Sequence, residues 1–535
     1  GYVHKILTGR AKDFGSLRKT NGLSGFLKYT ESKHDVWEAG HSSTSLSAAV
    51  GFAEARKENK DIGEIIPIIG DGSLQNGLAF SALNLIGNDP KNKVIIILND
   101  NDMSISKPVG SLSRMFNRVR IKRSYHFLKK ITPTFVHKLT RNLKNSVRSY
   151  IYGPNIFHSF GLKYFGAIDG HNIKELIRYL HYAKEADSSC IIHIKTQKGK
   201  GYPHAEKDHL GLCHGVAPFD ITSGGSVYAP TNGSVSWSDA IGDLLCTFSK
   251  QDKFVRIITP AMISGSGLLK CYAENPSQLL DVGIAEDHAV TMAAAMALQG
   301  MRPIVSIYST FLQRAYDQIN HDVCRQDAHV VFVLDRSGIV GADGDTHQGV
   351  FDIAYLSHLP NLVISMAKDA YEARALLEYG LYHQEHPFVL RYPKGSVARI
   401  TEEQTEFILQ PTWEIIQEIS SVTILTYGPI ITQLQERLEQ DQLRVGLINA
   451  RFIKPLDLDV LKQCRGTKVI IVEEVSKIGG LNAMICQAIL DQDLDIDVIT
   501  IALPDVYIEH GSIEDLQKEY QIDLDSIIEQ VRKCR

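Results

Sequence analysis

Eight cysteines are spread over 535 residues, at 190, 213, 246, 271, 324, 464, 486 and 534, and no two form a Cys-x-x-Cys pair. This spacing supports neither a disulfide framework nor a zinc site, and a reducing, cytosol-like compartment is the expectation. No apolar run approaches the roughly 20 residues needed to cross a bilayer. The opening GYVHKILTGR shows no secretory signal. It also lacks Met, so the chain reads as a processed or trimmed piece. A charge excess is missing too: 57 Lys and Arg against 61 Asp and Glu leave −4 at pH 7, which gives no global case for nucleic-acid or membrane binding. One absence is local. No acidic residue occurs between Asp102 and Asp169, while residues 111–150 carry eleven Lys and Arg with Phe and Tyr interspersed. Such a stretch fits a nucleic-acid patch, a basic amphipathic helix or a mobile insertion (about 105–155) that covers an anionic ligand. The motifs flanking it favour the third.

What is present is ordinary globular composition, 44% hydrophobic and 22% charged, at a length that suggests roughly three domains. The stretch Ile69–Met103 organises the first. It reads as a buried strand (Ile65–Ile69), a turn through Gly70 and Gly72, a helix, a loop and a second strand. The unbroken apolar run predicts a parallel strand covered on both faces. Asp71 and Asn101 follow the two strands, where ligands of open α/β sheets bind. With a backbone carbonyl near Met103 they supply three oxygen ligands suited to a Mg²⁺ that also grips a diphosphate. A Gly-Asp-Gly turn alone is weak, because such turns are common; the paired strand-end ligands strengthen it.

Ahead of this stretch, Gly40–Ser45 (GHSSTS) leads into a small-residue helix, Leu46–Arg56. Ser and Thr there read as helix caps, with His41 structural. On local sequence that takes slight precedence over an anion-binding role. After it, the strand Cys190–Thr196 ends in Lys198-Gly199-Lys200-Gly201, with His214 further on. Lysines and glycines after a strand suit an anionic ligand and suit a plain exposed loop equally.

The Gly/Ser/Pro-rich run 221–235 marks the clearest boundary. It predicts an α/β domain over 1–225 with the basic insertion, a second over 236–395 and a third over 410–535, all with mostly parallel sheets. In the second, candidate polar groups follow successive strands: Glu286 at a strand–helix junction, then Tyr308, Phe311 and Arg314, then Arg336, then Asp343 and His347, and finally Lys394. Glu286 by itself reads as dipole compensation at a helix start. Arg314, Arg336 and Lys394 together predict a phosphate site. Asp343 and His347 are acid–base or hydroxyl-binding candidates. A continuous helix is expected over 311–325.

GHSSTS at 40–45, GDG…NDNDM at 70–103, YFGAIDGH at 164–171, AEDHAV at 285–290, YSTFLQRAYDQ at 308–318 and GADGDTHQG at 341–349 together resemble the 1-deoxy-D-xylulose 5-phosphate synthase family. The likeness covers essentially the whole chain, and the last two motifs are far more specific than GDG. The resemblance implies a thiamine diphosphate-binding, transketolase-like fold. It implies a cytoplasmic homodimeric transferase that condenses pyruvate with D-glyceraldehyde 3-phosphate and releases CO₂, on the route to isoprenoids and thiamine. By the same resemblance, thiamine diphosphate and Mg²⁺ are the cofactors, with Asp71, Asn101 and Met103 at the metal. His41, Ser42, Ser43, Gly72, Ser73 and Lys198 fall around the cofactor, Glu286 at N1′ of its aminopyrimidine and Phe311 stacked on that ring. Tyr308, Arg314, Arg336, Asp343, His347 and Lys394 bind substrate, and His41, His214 and His347 join Glu286 as catalytic candidates.

The chain departs from the family pattern at Asp287, usually Gln, and at Lys394, often Arg. Lysine keeps the charge and loses the bidentate fork. An upstream segment with GGH, SNLG and GHQ motifs is also absent. Two other readings remain: another transketolase-like enzyme, and a trimmed or inactive cofactor-binding protein.

Overall fold

The computed structural model describes residues 1–89, 92–101, 156–208, 213, 215–216, 218–225, 227, 233–400, 408 and 410–535. Met103, His214 and the basic insertion lie outside the described residues. Contacts divide the chain into two compact units. One comprises His41–Ser226 with Gly283–Ala285; the other comprises Gly1–Gly40, Val227–Val282 and Glu286–Arg535.

The smaller unit is built on four parallel strands, β1 (Ile68–Gly70), β2 (Ile95–Asp100), β3 (Lys163–Asp169) and β4 (Cys190–Lys195), in the order β1-β2-β4-β3. Alternate residues of β2 enter opposite cores, as the two-residue period of a strand requires. Ile96 and Leu98 pack with helices Ser45–Glu58 and Gly77–Asn88, while Ile95 packs with Ile168, Ala183 and Ile192. The strand expected over Ile65–Ile69 is corrected here. Only Ile68–Gly70 is strand, it lies at the sheet edge, and Ile66 and Ile68 are 42% and 65% exposed. Pro67 has no N–H to give a ladder, which suits an edge. Its carbonyl still accepts from the Ile97 N–H.

The larger unit carries a seven-stranded sheet, a five-stranded sheet and a two-stranded antiparallel ribbon formed by Ser234–Ser236 and Ser396–Ala398. Its strands are β5 (Ser234–Ser236), β6 (Val255–Thr259), β7 (Leu279–Asp281), β8 (Arg302–Tyr308), β9 (Val331–Asp335), β10 (Val363–Met366), β11 (Phe388–Arg391), β12 (Ser396–Ala398), β13 (Glu414–Gln417), β14 (Val422–Thr426), β15 (Gly446–Asn449), β16 (Phe452–Lys454), β17 (Thr467–Ser476) and β18 (Ile496–Leu503). The sheets run β16-β10-β11-β9-β8-β6-β7 and β13-β15-β14-β17-β18, parallel throughout except for β16 and β13. By contact, the segments expected as separate domains, 236–395 and 410–535, fall in one unit. β16 crosses to pair with β10, and one apolar core runs from Trp237 through Phe332 and Phe452 to Ile485. The continuous helix expected over 311–325 is broken at Ala315 (φ −115°, ψ 18°), where the Gln313 side chain donates to the Thr310 carbonyl (2.6 Å).

Residues 1–40, expected in the 1–225 domain, group by contact with the larger unit. Polar pairing holds them in place of an apolar core. Arg10 grips Asp35 through two 2.7 Å bonds, and the buried Lys5 pairs with Glu31. Burial would raise Asp35, but the Arg10 guanidinium holds its pKa down at about 2. The depressed carboxyl contributes stability above its ordinary pKa near 4, which is lost as pH falls through about 2. Asp35→Asn is expected to give roughly tenfold faster limited proteolysis within 1–40 at neutral pH. That difference fades near pH 2; an unchanged neutral-pH cleavage rate contradicts the assignment.

Candidate active site

In the smaller unit the groups at the strand ends are locked by backbone and by each other. Asp71 directly follows β1, is buried, and its N–H donates to the Asn99 carbonyl (3.1 Å). Thr196, just past β4, donates to Asn99 Oδ1 (2.7 Å), and Asn101 directly follows β2. The turn between them does not use left-handed glycine. Gly72 is helical (φ −63°, ψ −43°), and a Cβ at Gly70 meets nothing within 4 Å, so open space lies beside the turn.

The serines of the GHSSTS segment are not caps. Helix Ser45–Glu58 starts with no side-chain capping bond. Instead Ser43, buried and at φ +74°, donates to the Ser73 carbonyl (2.8 Å), and Ser45 donates to the Ile68 carbonyl (3.3 Å). A non-glycine residue is held in that backbone region only when its surroundings over-determine it. Ser43 thus ties the segment carrying His41 and Ser42 to the Gly-Asp-Gly turn. Asn76 accepts from the Leu78 N–H (3.0 Å), and its amide donates to the Ile284 carbonyl (3.2 Å), two residues before Glu286 in the chain. Lys198 is half-buried; burial lowers its pKa against the pull of Asp208, Cys213 and Asp71.

In the larger unit Glu286 opens helix Glu286–Ala297 and is 4% exposed. Burial raises its carboxyl, and Arg314, whose Nη1 is 3.7 Å from Oε1, opposes that rise. Oε2 is buried without a hydrogen-bond partner among the described residues. A buried carboxyl oxygen without a hydrogen bond is costly and calls for a partner.

The three cations predicted to share a phosphate each lie against their own carboxylate: Arg314 by Glu286, Arg336 by Asp335 (2.5 Å) and Lys394 by Asp343 (2.8 Å). An aromatic run links much of the rest. The Arg336 guanidinium sits 4.0 Å from the Tyr308 ring centroid, Tyr308 stacks on Phe311 at 5.3 Å, and Phe311 meets His347 edge-on at 5.5 Å. Burial drives the Tyr308 hydroxyl well above its ordinary pKa, so it stays neutral. Burial alone would also raise Asp343, but Lys394 beside it holds it below the usual range.

Four neighbours of these residues escaped the sequence reading. Phe26 stacks on His347 at 4.9 Å, and Arg18 donates to the Ala342 carbonyl (2.7 Å) and lies 3.8 Å from Asp343. Ser238 and the Gly265 carbonyl both meet Arg336 Nη1. Phe26 and Arg18 sit in an aperiodic polar segment, and Ser238 looks like an ordinary residue of a helix start. Position in three dimensions is their only signal.

Comparison with known proteins divides the chain into three stretches. Residues 1–196 match the model described as 1-deoxy-D-xylulose-5-phosphate synthase, 233–399 the transketolase pyrimidine-binding domain, and 412–527 the transketolase C-terminal domain. A curated 1-deoxy-D-xylulose-5-phosphate synthase of Macrococcus caseolyticus is 45% identical over 99% of this chain and 87% of its own length. Enzymes of that name from Bacillus mycoides and a Geobacillus species are each 43% identical over 99% of the chain, with 86% and 87% of their lengths covered.

Proposed function

The chain belongs to the 1-deoxy-D-xylulose-5-phosphate synthase family, and from that footing we propose the roles its residues take. Its activity is the family's: pyruvate and D-glyceraldehyde 3-phosphate condense to 1-deoxy-D-xylulose 5-phosphate with loss of CO₂. Thiamine diphosphate, when bound, supplies a thiazolium carbon that adds to the keto group and takes up the electron pair freed by decarboxylation. The observation that carries the reading is the orphaned Glu286 Oε2, the kind of partner a buried ring nitrogen needs.

In this reading Glu286 holds the aminopyrimidine through N1′ and Phe311 stacks on it. Asp71 and Asn101, with the backbone of Met103, hold Mg²⁺, whose preference is for oxygen ligands including one or two carboxylates plus substrate phosphate. His41, Ser42, Ser43, Gly72, Ser73 and Lys198 surround the diphosphate; the open space beside Gly70 fits a ligand close to the backbone. Arg336 and Lys394 take the phosphate of the triose. Tyr308, Arg314, Asp343 and His347 line the substrate, and His41, His214 and His347 move protons. The working form is a cytoplasmic homodimer.

The test is an assay of pyruvate with glyceraldehyde 3-phosphate against a ketose donor. CO₂ release only with pyruvate supports the reading, and turnover only with the ketose overturns it. For the metal, Asp71→Ala is expected to weaken Mg²⁺ by a factor of about 100. This is read by calorimetric titration of thiamine diphosphate at stepped Mg²⁺ concentrations. An unchanged Mg²⁺ requirement removes Asp71 from the metal.

A further inference from the structure

Among the described residues Arg336 is held from one side only. All of its hydrogen bonds leave from Nη1: to Asp335 Oδ2 (2.5 Å), to Ser238 Oγ (3.0 Å) and to the Gly265 carbonyl (3.1 Å). Nη2 and Nε have no protein hydrogen bond among the described residues, and the side chain keeps 19% of its surface exposed. Ser238 completes a triangle, because its hydroxyl donates to Asp335 Oδ2 (2.8 Å) while accepting from Arg336. Below the guanidinium lies the Tyr308 ring at 4.0 Å.

This arrangement is demanding to build. Asp335 is fully buried and ends β9, and its Oδ1 has no hydrogen-bond partner among the described residues. Arg336 itself is left-handed at φ +58°, a conformation that costs a non-glycine residue of order 1 kcal/mol or more. Its carbonyl lies where a Cβ on Gly349 would fall, 2.1 Å away. Gly265 can present its carbonyl only because it has no side chain: a Cβ there would sit 2.4 Å from the Tyr308 hydroxyl. A surface arginine needs none of this. A guanidinium offers a planar fork, and fixing one nitrogen leaves the Nε–Nη2 edge aimed as a rigid bidentate donor, the geometry that phosphate oxygens take.

We infer that Ser238 and Asp335 are positioning residues for Arg336, anchoring its Nη1 so that the Nε–Nη2 edge is preorganised for the phosphate of the aldehyde substrate. The inference rests on the reading of Arg336 as a phosphate-binding group. Burial raises Asp335, and the adjacent guanidinium and Ser238 hydroxyl oppose that rise, in line with a carboxyl held in place by its partners. Ser238 lies 98 residues from Arg336 in sequence and belongs to helix Trp237–Gln251, so aldehyde selectivity is set in part by an element that carries none of the family's catalytic motifs.

The readout is the ratio of kcat/KM for D-glyceraldehyde 3-phosphate to that for unphosphorylated D-glyceraldehyde, with pyruvate saturating. Loss of one hydrogen bond to a charged group predicts a roughly tenfold fall in this ratio for Ser238→Ala, carried by a higher KM for the phosphorylated aldehyde. Ser238→Thr, which keeps the hydroxyl, restores it. Asp335→Asn lowers the ratio in the same direction and gives a second, independent arm. Arg336→Ala sets the floor. If Arg336→Ala lowers the ratio while Ser238→Ala and Asp335→Asn keep it, the inference falls and the role of Arg336 stands. If Arg336→Ala keeps the ratio, both fall. Equal losses on both aldehydes show a merely structural role and overturn the inference.

Discussion

Glu286→Ala loses turnover by a factor of about 10³ or more while keeping its far-ultraviolet circular dichroism, the expected result if this carboxyl directs proton movement at the cofactor ring. Such a loss corresponds to about 4 kcal/mol of transition-state stabilisation. The fold has little to lose. Among the described residues the Glu286 carboxylate lies 3.7 Å from Arg314, and its Oε2 has no hydrogen-bond partner. Helix Glu286–Ala297 keeps an acid in its first turn through Asp287. Glu286→Gln separates proton chemistry from shape, since it fills the same volume without an exchangeable carboxyl proton. Normal turnover in either variant would sink the role assigned to Glu286.

The same carboxyl carries a stability signature that needs no substrate. Burial lifts its pKa above the unfolded value near 4.5. Between these two values the native state binds more protons than the unfolded one, so stability falls as pH rises through that window. At neutral pH the cofactor-free protein therefore bears a cost that Glu286→Gln removes. Its melting temperature should exceed the parent's by a few degrees at pH 7 and converge with it near pH 4. A variant that melts lower than the parent at pH 7 contradicts the burial argument. Stability given up at a reactive group is the usual exchange at functional sites.

The positions of the candidate residues were legible where a polar residue type stood at a strand end. Asp71 after β1, Asn101 after β2 and Glu286 at a helix start follow from apolar runs that stop at polar residues, and each lies where that pattern puts it. Sheet order was not legible, because it is a long-range property. The run Ile65–Ile69 read as a strand covered on both faces, yet β1 lies at an edge with Ile66 and Ile68 exposed. Nor could spacing show that Arg314, Arg336 and Lys394 each carry a private carboxylate, since Asp343 read as an acid–base or hydroxyl-binding candidate and Asp335 only as the end of a strand. The first forty residues lacked any period. Arg10–Asp35 pairing and Phe26 stacking hold them, and contacts of that kind leave no hydrophobic pattern to read.

Asp352→Ala is expected to destabilise the larger unit by about 3–5 kcal/mol, the usual cost of leaving one partner of a buried ion pair behind. Arg391, at the end of β11, is 1% exposed and gives Asp352 a two-pronged grip, Nε to Oδ2 at 2.8 Å and Nη2 to Oδ1 at 2.9 Å. Its third nitrogen reaches Met366 Sδ (3.2 Å), and its guanidinium lies 5.8 Å from the Tyr427 ring. Asp352 in turn accepts from the Ile353 N–H and the Ser337 hydroxyl. One pair thus ties the seven-stranded sheet, the segment carrying Arg336 and a residue just past β14 of the five-stranded sheet. Without Asp352 the buried guanidinium loses the carboxylate that two of its nitrogens grip. The melting temperature should drop by roughly 5 °C in calorimetry. Replacing both partners, Asp352→Leu with Arg391→Met, should cost much less, because the desolvation of both charges disappears with their attraction. A single variant that melts within a degree of the parent, or a double variant worse than the single one, contradicts this account. If the account holds, the buried Arg391–Asp352 pair, whose arginine lies three residues before Lys394 in the chain, serves the fold and not the phosphate site proposed for Arg336 and Lys394.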